Sequence, residues 1–383
     1  MNEAQARRRG LERLARGAAV VLACAVLAAA GSAVSEDGWL RADRPHIWKF
    51  PEDDGSHPAF RTEWWYFTGN LSDAAGARYG YELTFFRQGV RFASADPGNP
   101  WSIRDLYLAH FAITDVSRSA FRAVDLMSRS GPGLAGASTE RLDVWLMDWS
   151  ARSGEEGIRL AARKAGLELA LRLKPRKPVV LHGTNGLSRK GEAEGEASYY
   201  ASLTDLETSG RITMGSGRPS VEVSGTSWFD HEFSSNMLAE DQAGWDWFSL
   251  HLSDGRDLML YLMRRADGSV EGVSSGTLVD REGGSRHLSK ADFRVTVLDR
   301  WRSMKSGGIY PSRWRIEIPK AGLDLVLAPL LADQELVAAG LPDLVYWEGA
   351  VAGEGGAGGR AVKAEGYAEL TGYSGDLRSA FIK

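Results

Sequence analysis

The chain has 383 residues, with 46 Lys plus Arg against 50 Asp plus Glu and a formal charge of -4. At 43% hydrophobic and 10% aromatic it has ample core material, which excludes low-complexity disorder. Its one Cys excludes a disulfide scaffold and a Cys-based zinc site. Residues Met1 to Arg16 carry five Arg and two Glu, and Gly17 to Ser35 carries no charge. A basic start, an apolar run and Gly31-Ser32-Ala33 at the cleavage position read as a secretory signal over 1–33. The alternative is a retained single-span anchor. Periplasmic or secreted location is therefore expected, or the periplasmic face of the inner membrane for an anchored form. Removing the segment's net +3 takes the chain from -4 to -7 and removes Cys24. A mildly acidic chain without a basic cluster argues against a nucleic-acid partner.

Beyond the signal, few windows have helical periodicity. Tyr79 to Phe86, Arg104 to Asp115, Ser220 to Trp228 and Arg313 to Ile318 read as strands, separated by turn signals such as Ser253-Asp254-Gly255 and Ala266-Asp267-Gly268. The chain also repeats itself. WWYFTGNLSD (64–73) lines up with WDWFSLHLSD (245–254), and each leads into an apolar strand ending in Arg, at 82–87 and 260–264. VWLMDW (144–149) then parallels VTVLDRW (295–301), GLELAL (166–171) parallels GLDLVL (322–327), and VSGTSWFD (223–230) parallels AEGYAELT (364–371). Five colinear matches predict an all-β chain of two tandem antiparallel barrels, 34–238 and 239–383, with the boundary near Ala239. Forty-four Gly fit that reading, since two barrels need many turns and corner bends.

EWWYFTGNL (63–71), LTFFR (83–87), AHFAITD (109–115), SYYASLTDL (198–206), GTSWFDHEF (225–233), GWDWF (244–248), YPSRW (310–314), DQEL (333–336) and YWEG (346–349) together resemble the lipocalin-like AttH family. That family includes the carotenoid 1,2-hydratases, or hydroxyneurosporene synthases. The resemblance implies two lipocalin-like barrels in tandem. It also implies a functionally mixed group of acyclic carotenoid hydratases, polyene cyclases and exported members. In the hydratases, acidic, His and aromatic residues of the central region matter, and Asp230, His231, Trp245 and Asp246 are the matching positions.

Hydrating an isolated C=C needs a proton donor, a means of stabilising a tertiary carbocation, and a positioned water. A carboxylic acid kept neutral by apolar surroundings can donate the proton, aromatic faces can stabilise the cation, and no cofactor or metal is required. On a strand, Trp228, Asp230 and Glu232 share one face while Phe229, His231 and Phe233 share the other. The segment reads as a salt-bridge or hydrogen-bond corner between the barrels, more weakly as a metal-binding segment, or as the catalytic centre. Asp230 would then be the donor, with His231 and Glu232 setting its protonation and orienting water. Trp245, Trp247 and His251 would share a face, with Asp246 pointing the other way as a further catalytic candidate. In the equivalent first strand, Glu63 and Trp65 oppose Trp64 and Tyr66. These aromatics, with Trp347, are candidate ligand contacts, against the alternative of ordinary core packing. His110 reads as a satisfied core histidine, and Glu348, Tyr199 and Tyr200 as lesser pocket candidates.

Some motifs fail. Gly272-Val273-Ser274-Ser275-Gly276 matches G-x-S-x-G, but the segment after it reads as strand and turn where a helix is needed. The glycine-rich stretch Gly183 to Gly191 lacks the Lys-Ser/Thr of a phosphate loop. No HExxH occurs, so no metal is expected. The expectation is an exported protein with a small hydrophobic partner, an isoprenoid, polyene or lipid, acting near a membrane surface. It would be a hydratase-like lyase or a non-catalytic carrier, and more weakly a hydrolase using Ser274.

Overall fold

The computed structural model describes residues 35, 37–92, 102–235, 238–239, 241–338 and 344–374. The expected export segment over 1–33 lies outside them. No helix among the described residues is long and apolar enough to cross a membrane. The chain is nearly all β, in two barrel-like sheets, a nearly closed one and a half-barrel, with a lipocalin-like fold.

The first sheet runs in the order Ala120–Arg129, Asp105–Asp115, Arg78–Gly89, Thr62–Ser72, Val221–Ser234, Ala197–Met214, Leu167–Pro175, Gly157–Lys164 and Trp149–Gly154, and continues to Asp143–Leu146 and Ala135–Ala137. The second repeats that order with Ser285–Ser289, Ser275–Val279, Asp257–Arg265, Gln242–Leu252, Arg360–Thr371, Val345–Ala357, Leu323–Pro329, Ile309–Ile318 and Arg294–Arg302. In each, the first strand pairs with both the second and the last, antiparallel throughout. The duplication in the sequence is thus a duplication of topology.

Three cores result. Trp65, Phe67, Leu83, Phe85, Phe111 and Phe229 fill the first barrel. Phe248, Leu260, Trp314, Ile316 and Trp347 fill the second. The third lies between the barrels, where Tyr66, Tyr200, Trp228, Trp247, Tyr261 and Tyr367 meet. The central strands are therefore covered on both faces, so Thr62–Ser72 is buried along nearly its whole length. Polar contacts cross the same seam: Asn70 Nδ2 donates to the Gly366 carbonyl at 3.1 Å, and Lys177 Nζ to Asp257 at 2.7 Å.

Two glycines at matching places in the repeats let the last strand of each sheet lie close against the first. A Cβ on Gly225 would lie 2.0 Å from the Asn70 carbonyl oxygen, and one on Gly366 would lie 1.8 Å from that of Ser249. Both contacts are with backbone of the barrel's own first strand, so a side chain cannot simply turn away. Gly366→Ala should cost about 1–3 kcal/mol, measured by urea unfolding; an unchanged midpoint would show that the sheet relaxes freely there.

Candidate active site

Strand alternation sends one set of side chains into each barrel and the other set into the seam. On the seam face of the first sheet, Ser202, Asp230, Tyr66, Thr84 and His110 form one row across five adjacent strands. Tyr200, Glu232, Trp64 and Phe86 form the next row. The second sheet presents Tyr261, Trp247, Glu369 and Glu348 in one row, with Met263 beside Trp245. These rows enclose a cavity with about 980 Å³ of atom-free space, part of it open to solvent, whose walls also include Lys190, Ser198, Leu344 and Tyr346.

Asp230 is 3% exposed and, among the described residues, is in no salt bridge, although the Lys190 ammonium acts on it through space. Tyr200 Oη donates to its Oδ2 at 2.5 Å, Trp228 Nε1 to its Oδ1 at 2.6 Å, and the Ser202 hydroxyl also donates to Oδ1. Burial pushes its pKa up to about 7, against these three donors, which favour the charged form. Trp247 Nε1 donates to Tyr200 Oη at 3.0 Å, and the neutral ring of His182 lies 2.7 Å from Ser202 Oγ, so Asp230 is held by a second layer as well. Its carboxyl is thereby a poised acid in an aromatic chamber. Glu232 differs: Lys190 Nζ lies 2.9 Å from its Oε1. Burial lowers the pKa of Lys190, but Glu232 outweighs it and the net shift is upward. The ammonium also sits 4.3 Å above the Tyr261 ring and 4.9 Å above that of Tyr200. Tyr200→Phe should raise the Asp230 titration midpoint, because a donor to the carboxylate is lost; carboxyl carbon NMR would read it, and a fall would contradict this account.

The remaining candidates divide by parity. Trp64, Tyr66, Trp245 and Trp247 line the cavity, and Trp228 backs it through Asp230. Four expected site residues do not face it. His231 points into the first barrel, its ring nitrogens 3.0 Å from Glu63 Oε1 and 2.9 Å from the Asp53 carbonyl oxygen. It therefore cannot set the protonation of Asp230 by contact. Trp65 stacks on His231 on that same inner face. Asp246 lies on the inner face of the second sheet, held by Arg264 Nε at 2.8 Å and the Tyr373 hydroxyl at 2.9 Å. Trp347 packs in the second core and donates to the Ala332 carbonyl at 2.7 Å. The reason is the same for all four: each is one residue away from a cavity-facing neighbour.

His110, expected in a core, lines the cavity instead; burial holds it neutral, with its pKa lowered to about 4. Phe86, Tyr261, Met263, Tyr346 and Glu369 were missed, although parity within the duplicated strands would have found them. Lys190 had no such signal, since it follows the short strand Leu187–Arg189 in a stretch with no clear period. Ser274 is buried and its Oγ accepts from the Met263 amide at 3.0 Å, in the turn before Ser275–Val279. No helix follows it, and a nucleophile elbow is absent there.

His57, Glu63 and His231 could offer ligand atoms to a metal, as could His46, Asp53 and His57. Each of these atoms already has a partner: His57 Nδ1 is 2.9 Å from Glu63 Oε1 and its Nε2 3.0 Å from Asp53 Oδ1, and Arg87 Nε donates to Glu63 Oε2 at 3.0 Å. A guanidinium against the central carboxylate makes this cluster a closed ion network.

Two lipocalin-like barrel sheets with one cavity between them, lined by aromatics and buried acids, define the class of fold. The family model described as AttH-like matches residues 41–373, and the chain belongs to that family. An AttH protein from Nitrosomonas europaea is similar at 35% identity and a TM-score of 0.76, over 86% of this chain and 99% of that one. Kievitone hydratase from Nectria haematococca shares the fold at 16% identity and a TM-score of 0.65, over 90% of this chain and 97% of that one. No curated protein sequence matches.

Proposed function

We propose that the protein is a cofactor-independent hydratase that adds water across a C=C bond of an apolar isoprenoid or polyene bound in the seam cavity. The observation that carries this reading is Asp230: a buried acid in no salt bridge among the described residues, held near pKa 7 in the wall of an aromatic-lined cavity. In the proposed step the Asp230 proton goes to one alkene carbon, leaving a tertiary carbocation at the other. The indoles of Trp64, Trp245 and Trp247 face that charge. Water adds to the cation, and the proton it loses returns to the Asp230 carboxylate, so the acid is regenerated and the net change is addition of one water. The named hydratase among the structural neighbours is compatible with this reading, but at its level of identity it speaks only to fold.

A carrier built on the same cavity would have no use for a free acid, and its carboxyls would be expected in ion pairs. Glu232 is in one and Asp230 is not. Substrates of this kind partition into membranes, so the protein would work at a membrane surface, and the N-terminal signal would put it on the periplasmic side. Mass spectrometry of apolar molecules extracted from the native protein tests the reading. An acyclic isoprenoid or polyene together with its hydrated form is the expected result. Phospholipid alone would favour the carrier.

A further inference from the structure

The row of side chains through Asp230 continues into a part of the cavity that the proposed proton transfer does not use. Tyr66 follows Asp230, then Thr84, then His110, and Glu82 lies two residues before Thr84 on the same face. From the facing sheet comes Glu348. Twelve buried side-chain N or O atoms among the described residues have no hydrogen-bond partner, and six of them are here. They are Tyr66 Oη, Thr84 Oγ1, His110 Nε2, Glu348 Oε1 and both oxygens of Glu82. Tyr66 interacts with Glu348 and Thr84 with Glu82, though without good hydrogen-bond geometry, so the patch is only partly paired within itself; a buried polar atom left unpaired costs about 1–3 kcal/mol. Their concentration in one place means that the fold retains an unsatisfied polar patch inside an otherwise aromatic chamber.

The chemistry of the patch narrows what would satisfy it. His110 already uses Nδ1, 2.6 Å from the Tyr346 hydroxyl, so its Nε2 is left for a ligand. Burial raises Glu82 to about 8 and Glu348 well above the usual carboxylate range, and their mutual repulsion adds to the rise in Glu348. Burial likewise keeps His110 neutral. The patch therefore offers neutral donors and acceptors. An anionic head group would find no cation beside it, because the lysine in the cavity wall is paired with Glu232.

We propose that Tyr66, Thr84, His110 and Glu348, with Glu82 behind them, form a polar subsite for a neutral oxygen function, a hydroxyl or carbonyl, carried by an otherwise apolar ligand. This rests on the reading of the cavity as an isoprenoid site and deepens it: the substrate class is an oxygenated isoprenoid, and a pure hydrocarbon leaves the patch unpaired. The Asp230 end handles the alkene and the His110 end holds the oxygen.

Calorimetric titration of the full chain with farnesol, farnesene and farnesylamine tests the subsite. Farnesol should bind at least about tenfold more tightly than farnesene, the equivalent of roughly 1.4 kcal/mol. The Thr84 hydroxyl interacts with the buried Glu82 carboxyl, so Thr84→Val should reduce the preference severalfold, with circular dichroism checking that the variant folds, while Thr84→Ser should keep it. Equal affinity for alcohol and hydrocarbon would overturn the subsite and leave the cavity reading standing. Tighter binding of the amine than of the alcohol would overturn the neutral-oxygen assignment. Binding of none of the three would overturn both the subsite and the isoprenoid reading.

Discussion

Asp230→Asn should lower hydration by roughly a hundred- to ten-thousand-fold, the usual worth of a positioned general acid, while the folded protein still binds an isoprenoid alcohol. Asn keeps the shape and can still accept from Trp228 and Ser202, but it has no proton to give. The native protein holds the Asp230 proton more tightly than the unfolded chain does, because burial raises the pKa to about 7. Stability therefore falls as pH rises from the ordinary Asp range towards 7, and Asn removes that loss. The variant should be at least as stable as the parent at pH 8, which separates lost chemistry from lost fold. The same pKa sets the pH profile of the parent. In the proposed mechanism the active form is protonated, so the rate should fall about tenfold per unit above pH 7. Turnover retained in Asp230→Asn, or a rate that climbs through pH 8, would remove Asp230 from the mechanism.

Glu63→Gln should destabilise the first barrel by about 3–5 kcal/mol, as expected for breaking a buried ion network from one side. Glu63 is 0% exposed and sits among Arg87, His57 and His231. Burial alone would raise its pKa, yet Arg87 and then the two histidines bring it well below the usual carboxylate value. A depressed carboxylate stabilises the fold above its unfolded pKa, near 4.3, and the contribution disappears as pH falls through the folded value. His57 has the opposite sign. Burial would lower its pKa, but Asp53 and Glu63 raise it, so its contribution is full below about 6.5 and is lost as pH rises through the folded value. The parent should thus be most stable between these limits. Urea midpoints measured from pH 3 to 8 should show a weaker acid limb in Glu63→Gln. An acid limb of parental steepness would mean that other carboxylates carry it. This network also anchors the segment before the first strand, since the His57 ring stacks on Phe233 at 3.5 Å and Trp65 Nε1 donates to the Asp54 carbonyl.

Much of the architecture was legible in the chain. The colinear matches between 64–73 and 245–254, and between 223–230 and 364–371, fall on equivalent first and last strands of two sheets with the same strand order. Strand parity correctly separated Trp228, Asp230 and Glu232 from Phe229, His231 and Phe233, and Trp245 and Trp247 from Asp246. Both are local properties: a period of two residues needs only the chain itself.

Which of two opposite faces looks into the barrel and which into the seam was not legible, because both are buried and both carry aromatics and acids. Parity already put His231 on the face opposite Asp230, and the neighbour that holds Asp230, Tyr200, comes from another strand. Pairing is decided by partners distant in sequence. Glu232 meets Lys190, Asp230 meets Tyr200 and Ser202, and His110 meets Tyr346 across 236 positions. The sequence by itself determined the two barrels, their strands and the alternation of each strand. Only the tertiary structure decided that a free acid and an unsatisfied polar patch would share one cavity, since burial and the absence of a salt bridge depend on every element that closes around a group.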